Sequence, residues 1–210
     1  MKKILFMTNK TKIYLVNTVL LLITFLSSCF YFLINTSRPS LNVIQTVIDV
    51  NIPRLPVFAI PYIAFLPLFW ATMVYAFIKN KSFRRLACSV VIINLVAYLV
   101  YLFFQTYVPR LPVESNDFFS GLLKFIYTTD QPYNCFPSLH VALSASAATY
   151  FMFIKYKMRW LFLAIAILIS LSTLFVKQHF ILDVLSGAAL GVGVTWFLFK
   201  LKRPNKLGLL

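Results

Sequence analysis

Long apolar runs separated by short polar breaks occupy almost the whole chain. A helix needs about 20 apolar residues to cross the hydrocarbon core of a bilayer. Six segments meet or approach that length: 13–34, 57–78, 86–108, 138–154, 160–176 and 181–199. The fourth and fifth are short, yet clear polar residues bound each of them. The pattern predicts an all-α, integral membrane bundle of six transmembrane helices, built as a single membrane domain over 1–210. Between the first two spans, "LNVIQTVIDV" alternates apolar and polar positions, and segment 37–56 is expected to lie along the membrane interface as a short helix.

Charge turns this pattern into a topology. Lys2, Lys3, Lys10 and Lys12 precede the first span; Lys79, Lys81, Arg84 and Arg85 follow the second. Lys155, Lys157 and Arg159 follow the fourth, and Lys200, Lys202, Arg203 and Lys206 follow the sixth. Only Arg38, Arg54, Arg110, Lys124 and Lys177 fall in the alternate breaks, while the five acids (Asp49, Glu114, Asp117, Asp130, Asp183) sit on or at the edge of that poorer side. Basic residues concentrate on the cytoplasmic side, so both termini are expected there, an arrangement suited to a bacterial plasma membrane.

Composition agrees with the spans. Sixty per cent of the residues are hydrophobic and only 12% charged, against about a quarter in a soluble domain. The net charge of +15 does not point to nucleic acid, because its basic residues are confined to short clusters between apolar spans. Three scattered cysteines (Cys29, Cys88, Cys135) make neither a disulfide framework nor a zinc spacing.

The topology gathers the chemically able residues on the extracytoplasmic side. These are Arg110 in "YVPRLP", Ser138 and His140 in "FPSLH", and Lys177, His179 and Asp183 in "KQHFILD". On a helix, His179 and Asp183 would share a face, so the acid can fix one imidazole nitrogen and leave the other as base or nucleophile. Pro137 suits the first position of a helix, which would set Ser138 and His140 in the first turn, where free N–H groups and the dipole favour an anion. Ser138 adds a hydroxyl, and His140 can protonate a departing oxygen. Serine-based acyl transfer is conceivable, but cations around an anion-ready helix start fit phosphate better.

"PSLH" followed by "HFILD" resembles the second and third motifs of the type 2 phosphatidic acid phosphatase superfamily, over roughly residues 110–187. The resemblance implies a six-helix membrane core and a lipid phosphate substrate within the bilayer, with no metal and no cofactor. It implies a phosphohistidine on His179 oriented by Asp183, with His140 as acid and Ser138 on the phosphate oxygens. The sequence departs from the family's pattern in places. Arg110 is followed by Leu111, Phe103 stands where a lysine is usual, Leu139 replaces a glycine, and Ser172-Thr173 replaces a Ser-Arg pair. Lys177 is the candidate to supply the missing charge. The form "KQHFILDVLSG" looks more like the branch near inositol phosphorylceramide and sphingomyelin synthases, which transfer a head group instead of hydrolysing it.

Two other readings remain at this point. A transporter or lipid-binding protein could use the His-Asp pair as a proton relay or anion site, though such sites favour the midplane. A metal enzyme could use His140, His179 and Asp183 as ligands. A gap much beyond about 8 Å between the imidazoles would make joint work on one phosphate implausible. Gly187 and Gly191, four apart, and the small residues of "ALSASAA" read as surfaces for close helix packing.

Overall fold

The computed structural model describes residues 9–79 and 82–201. Lys2, Lys3, Lys81, Lys202, Arg203 and Lys206, all counted above toward the basic side, lie outside them. The fold is all-α, with eight helices among the described residues: α1 (Asn9–Ile34), α2 (Val47–Asn51), α3 (Ala59–Lys79), α4 (Phe83–Phe103), α5 (Phe118–Thr129), α6 (Leu139–Phe153), α7 (Arg159–Phe175) and α8 (Ile181–Lys200). A 3-10 turn, Pro56–Phe58, leads into α3. Among the described residues, four segments are long and apolar enough to cross a membrane: Thr11–Ile34, Pro56–Lys79, Phe83–Phe103 and Ile181–Lys200. The helices α6 and α7 are apolar but shorter.

Of these two shorter helices, α6 is the enclosed one. It stands between α3, α4, α7 and α8, and residues on every side of it are buried, among them Val141, Ala142, Ser144, Ser146, Ala148 and Tyr150. Its small residues let α8 come close. An added Cβ at Gly191 would lie 2.0 Å from the Ala142 carbonyl oxygen, and one at Gly187 would lie 2.5 Å from that of Ser138. The hydroxyls of Ser146 and Thr195 meet at 2.7 Å across the same seam. Here glycine serves as the absence of a side chain, as the four-residue spacing predicted. By contrast, α1 is mostly exposed and packs chiefly on α4, where Asn94 donates to the hydroxyls of Ser27 and Ser28.

Some expectations need correction. The third span ends at Phe103, not at 108. Past that point, Thr106 pairs with Asn42 and Tyr107 with Tyr133, so these residues spend their backbone groups on loops. The helix α5 was not foreseen. Asp117 caps it by accepting from the N–H groups of Phe119 and Ser120, and Leu123 and Ile126 are its buried positions. That side-chain bonding, led by the hydroxyls of Ser120 and Ser115, holds the Asp117 carboxyl well below the usual carboxylate range. Within 37–56, only Val47–Asn51 is α-helical. Its Val47, Ile48 and Val50 are exposed while Asp49 is buried, as suits a turn lying on an interface.

Candidate active site

The start of α6, the start of α8, the ends of α1 and α4, and the beginning of α3 meet at one end of the bundle. The loop before α6 is tied down first. Asn134 donates to the Ile34 carbonyl at 2.8 Å and accepts from Gln105 at 2.7 Å. The Tyr101 hydroxyl donates to the Pro137 carbonyl at 2.6 Å. Pro137 is not the first helical residue; it follows a cis peptide bond and precedes Ser138, which is the N-cap of α6. Serine takes that place because its Oγ accepts the otherwise unpaired N–H of Val141, at 3.4 Å. Its own N–H donates to the Asp183 carbonyl at 3.1 Å, joining the starts of α6 and α8. Losing the cap in Ser138→Ala should cost about 1 kcal/mol of stability, read as a lower melting temperature in detergent.

His179 is also not on a helix. It stands two residues ahead of α8, and its N–H donates to the Thr173 carbonyl at 3.2 Å. Its Nδ1 nevertheless lies 3.4 Å from Oδ2 of Asp183. The contact is out of line for a full hydrogen bond, and Nδ1 and the other Asp183 oxygen are buried without a partner. Asp183 Oδ2 also accepts the Phe180 N–H at 2.8 Å, and Asp49 accepts the Ile181 N–H at 2.8 Å. Two carboxylates thus satisfy the first N–H groups around α8. The His140 ring stacks on Tyr62, with centroids 4.5 Å apart, and packs on Phe65 at 4.6 Å. The imidazoles of His140 and His179 are 6.0 Å apart, centroid to centroid. That lies inside the limit for joint work on one phosphate.

The two cations are placed differently. Arg110 lies over the Tyr127 ring at 4.5 Å and donates to the Asp130 carbonyl at 2.8 Å and to the side-chain oxygen of Gln178, next to His179. Lys177 donates from Nζ to the carbonyls of Asp49 and Ile52, and burial pulls its ammonium below the ordinary lysine range. An apolar cavity of about 300 Å³ opens beside this end; Tyr31, Tyr62, Trp70, Tyr98, Asp130 and His140 are among its lining.

With this geometry in place, comparison with known proteins becomes informative. The profile of the PAP2 superfamily matches residues 87–206, a stretch that contains both histidine motifs. The chain belongs to the PAP2 superfamily. Proteins of this superfamily are typically phosphatases, and lipid-phosphatase-type chemistry is its general activity. The match does not reach to a branch within it. No curated protein and no solved structure gives a significant match to the chain.

Two features of this PAP2 protein escape its motifs. Asp130 comes before the second motif and outside it, yet its carboxylate stands 4.0 Å from Nε2 of His140. The sequence signal was thin: one of five acids in a greasy chain, with partners scattered over α1 and α3. The second feature concerns metal. Among the described residues, the donor set that comes together is Cys135, His179 and Asp183, whose atoms lie within 4.8 Å of one another; His140 is not part of it. Burial, then the charges of Asp183 and Asp130, push the Cys135 thiol well above its ordinary range, which works against the thiolate a metal needs.

Proposed function

We propose that this PAP2 protein is a metal-independent membrane lipid phosphatase or phosphotransferase with its active site at the extracytoplasmic face. In this reading α1, α3, α4, α6, α7 and α8 are six membrane spans, and both termini are cytoplasmic. Nε2 of His179 attacks phosphorus while Asp183 holds the Nδ1 side. A P–N bond forms as the ester P–O bond breaks, and His140 gives its proton to the departing oxygen. Water then completes hydrolysis, or a lipid or sugar hydroxyl completes transfer. Ser138 and Arg110 bind the phosphate oxygens, Ser138 from the start of α6 and Arg110 beside Gln178, and Lys177 joins them by turning from the carbonyls of Asp49 and Ile52. The substrate's chains lie toward the apolar cavity, whose lining reaches His140.

The observation that carries this reading is the 6.0 Å separation of two imidazoles that lie about forty residues apart in the chain. Membership of the superfamily supports it. The branch implied by "KQHFILDVLSG" bears only on the second half-reaction, transfer against hydrolysis. The test is release of the leaving group across a panel (an alcohol from phosphatidate and head-group phospholipids, the monophosphate from an isoprenoid pyrophosphate), with chelator present, with and without an acceptor lipid. Release that survives the chelator is expected, and an acceptor requirement identifies transfer. Silence across the panel, or loss of all release on chelation, sinks the proposal.

A further inference from the structure

We propose that Asp130 is the positioning residue of His140, so that the site contains two facing histidine–aspartate pairs, a nucleophilic one (His179–Asp183) and an acidic one (His140–Asp130). This inference rests on the reading above and adds to it a residue outside the motifs.

The argument starts from the cost of the group. An ionisable side chain inside a membrane bundle is expensive and is kept where its partners are good. Asp130 has three side-chain donors, none from its own loop. Tyr31 of α1 and Asn35, just past its end, each donate to Oδ1 at 3.0 Å, and Tyr62 of α3 donates to Oδ2 at 2.5 Å. Ordering of the loop is carried by a different part of the residue, the backbone carbonyl that accepts from Arg110 at 2.8 Å. The carboxylate is thus held rigidly from outside its own loop, with Oδ2 still open on the side of His140. Oδ2 faces Nε2 of His140 at 4.0 Å, with the two side chains similarly half-screened at 15% and 16% exposure. Catalytic hydrogen bonds are often long before substrate binds and tighten afterwards. Tyr62 couples the pair directly, since its hydroxyl holds Asp130 while its ring stacks on His140.

In the reaction, His140 begins as the imidazolium and ends neutral. The electron pair of the breaking P–O bond stays on the leaving oxygen, which takes the His140 proton as His179 gains its bond to phosphorus. Before that transfer, Asp130 balances the positive ring and fixes which nitrogen turns toward the ester. A leaving group that departs as a stable anion needs no such proton, and the proposal turns on that difference.

The experiment measures leaving-alcohol release from a long-chain alkyl phosphate and from nitrophenyl phosphate. Asp130→Asn is expected to lose ~100-fold on the alkyl ester and less than ~3-fold on the aryl ester, as removal of acid catalysis predicts. In a His140→Ala background, Asp130→Asn should then add no further loss, because residues acting through one another are not additive. Tyr62→Phe keeps the ring stack, removes one donor, and should show the same ester-selective loss, smaller in size; it carries the test if Asp130→Asn does not fold. Equal losses on both esters, or a full further loss in the His140→Ala background, would make Asp130 merely structural and overturn the proposal. His179→Ala run alongside separates the two levels. If it is as active as wild type, or if wild type is silent on both esters, the underlying reading fails and the inference with it.

Discussion

Replacing His179 by alanine is expected to remove leaving-group release by at least ~10⁴-fold, with no change in folding. Loss of a covalent nucleophile is among the largest single-residue effects in enzymes. The His179 side chain is only 7% exposed and stands ahead of α8 on a segment held by backbone bonds to Thr173, so the helices do not depend on the ring. Asp183→Asn should lose less, ~10²–10⁴-fold. Its amide oxygen can still take the Phe180 N–H, but the amide cannot balance an imidazole that becomes positive or hold the right tautomer. Labelled phosphoryl retained on wild type after a quench, and absent from His179→Ala, would place the bond on this residue. Release by His179→Ala within tenfold of wild type would exclude it as nucleophile.

The second large effect comes from helix packing and involves no reacting group. Gly191→Ala places a methyl 2.0 Å from the Ala142 carbonyl oxygen and 2.8 Å from its carbon. Both are backbone atoms, so no rotamer change relieves the clash, and α8 must move away from α6. Overpacking of this kind costs roughly 1–3 kcal/mol or more, equivalent to a melting temperature lower by on the order of 5–10 °C. The starts of these same two helices bring His140 and His179 together, and a displacement of about 1 Å can cost ~10²-fold in rate. Gly193→Ala is the control. It meets nothing within 4 Å, and alanine is the better helix former by about 1 kcal/mol, so activity should hold and stability stay level or rise. If both substitutions behaved alike, the close α6–α8 seam would be wrong.

Much of this could be read along the chain. The helices corresponding to the six apolar runs begin and end within a few residues of them, since a run that must exclude its backbone from solvent or lipid has little choice but a helix. The two histidine motifs also pointed to the superfamily whose profile matches residues 87–206. The helix α5 was missed because twelve residues with one buried stripe carry far less signal than twenty apolar ones, although Asp117 as a cap ahead of Leu123 and Ile126 was a usable sign. The His-Asp contact was anticipated on a helical face and is made instead from a turn just ahead of one. A spacing of four reports proximity, not the geometry that produces it.

What the sequence determined by itself was local: helical spans, the asymmetry of charge, the close-packing glycines and the identity of the motif residues. Each depends on near neighbours or on the summed character of a segment. Only the tertiary structure decided which distant side chains share a carboxylate. Asp130 meets Tyr31, Asn35, Tyr62 and His140 because α1, α3 and α6 converge at one end of the bundle. Lys177 is turned to the carbonyls of Asp49 and Ile52 by a turn more than a hundred residues away in the chain. Such contacts are set by how helices cross, and crossing depends on all the packed surfaces together, which no single stretch of sequence encodes.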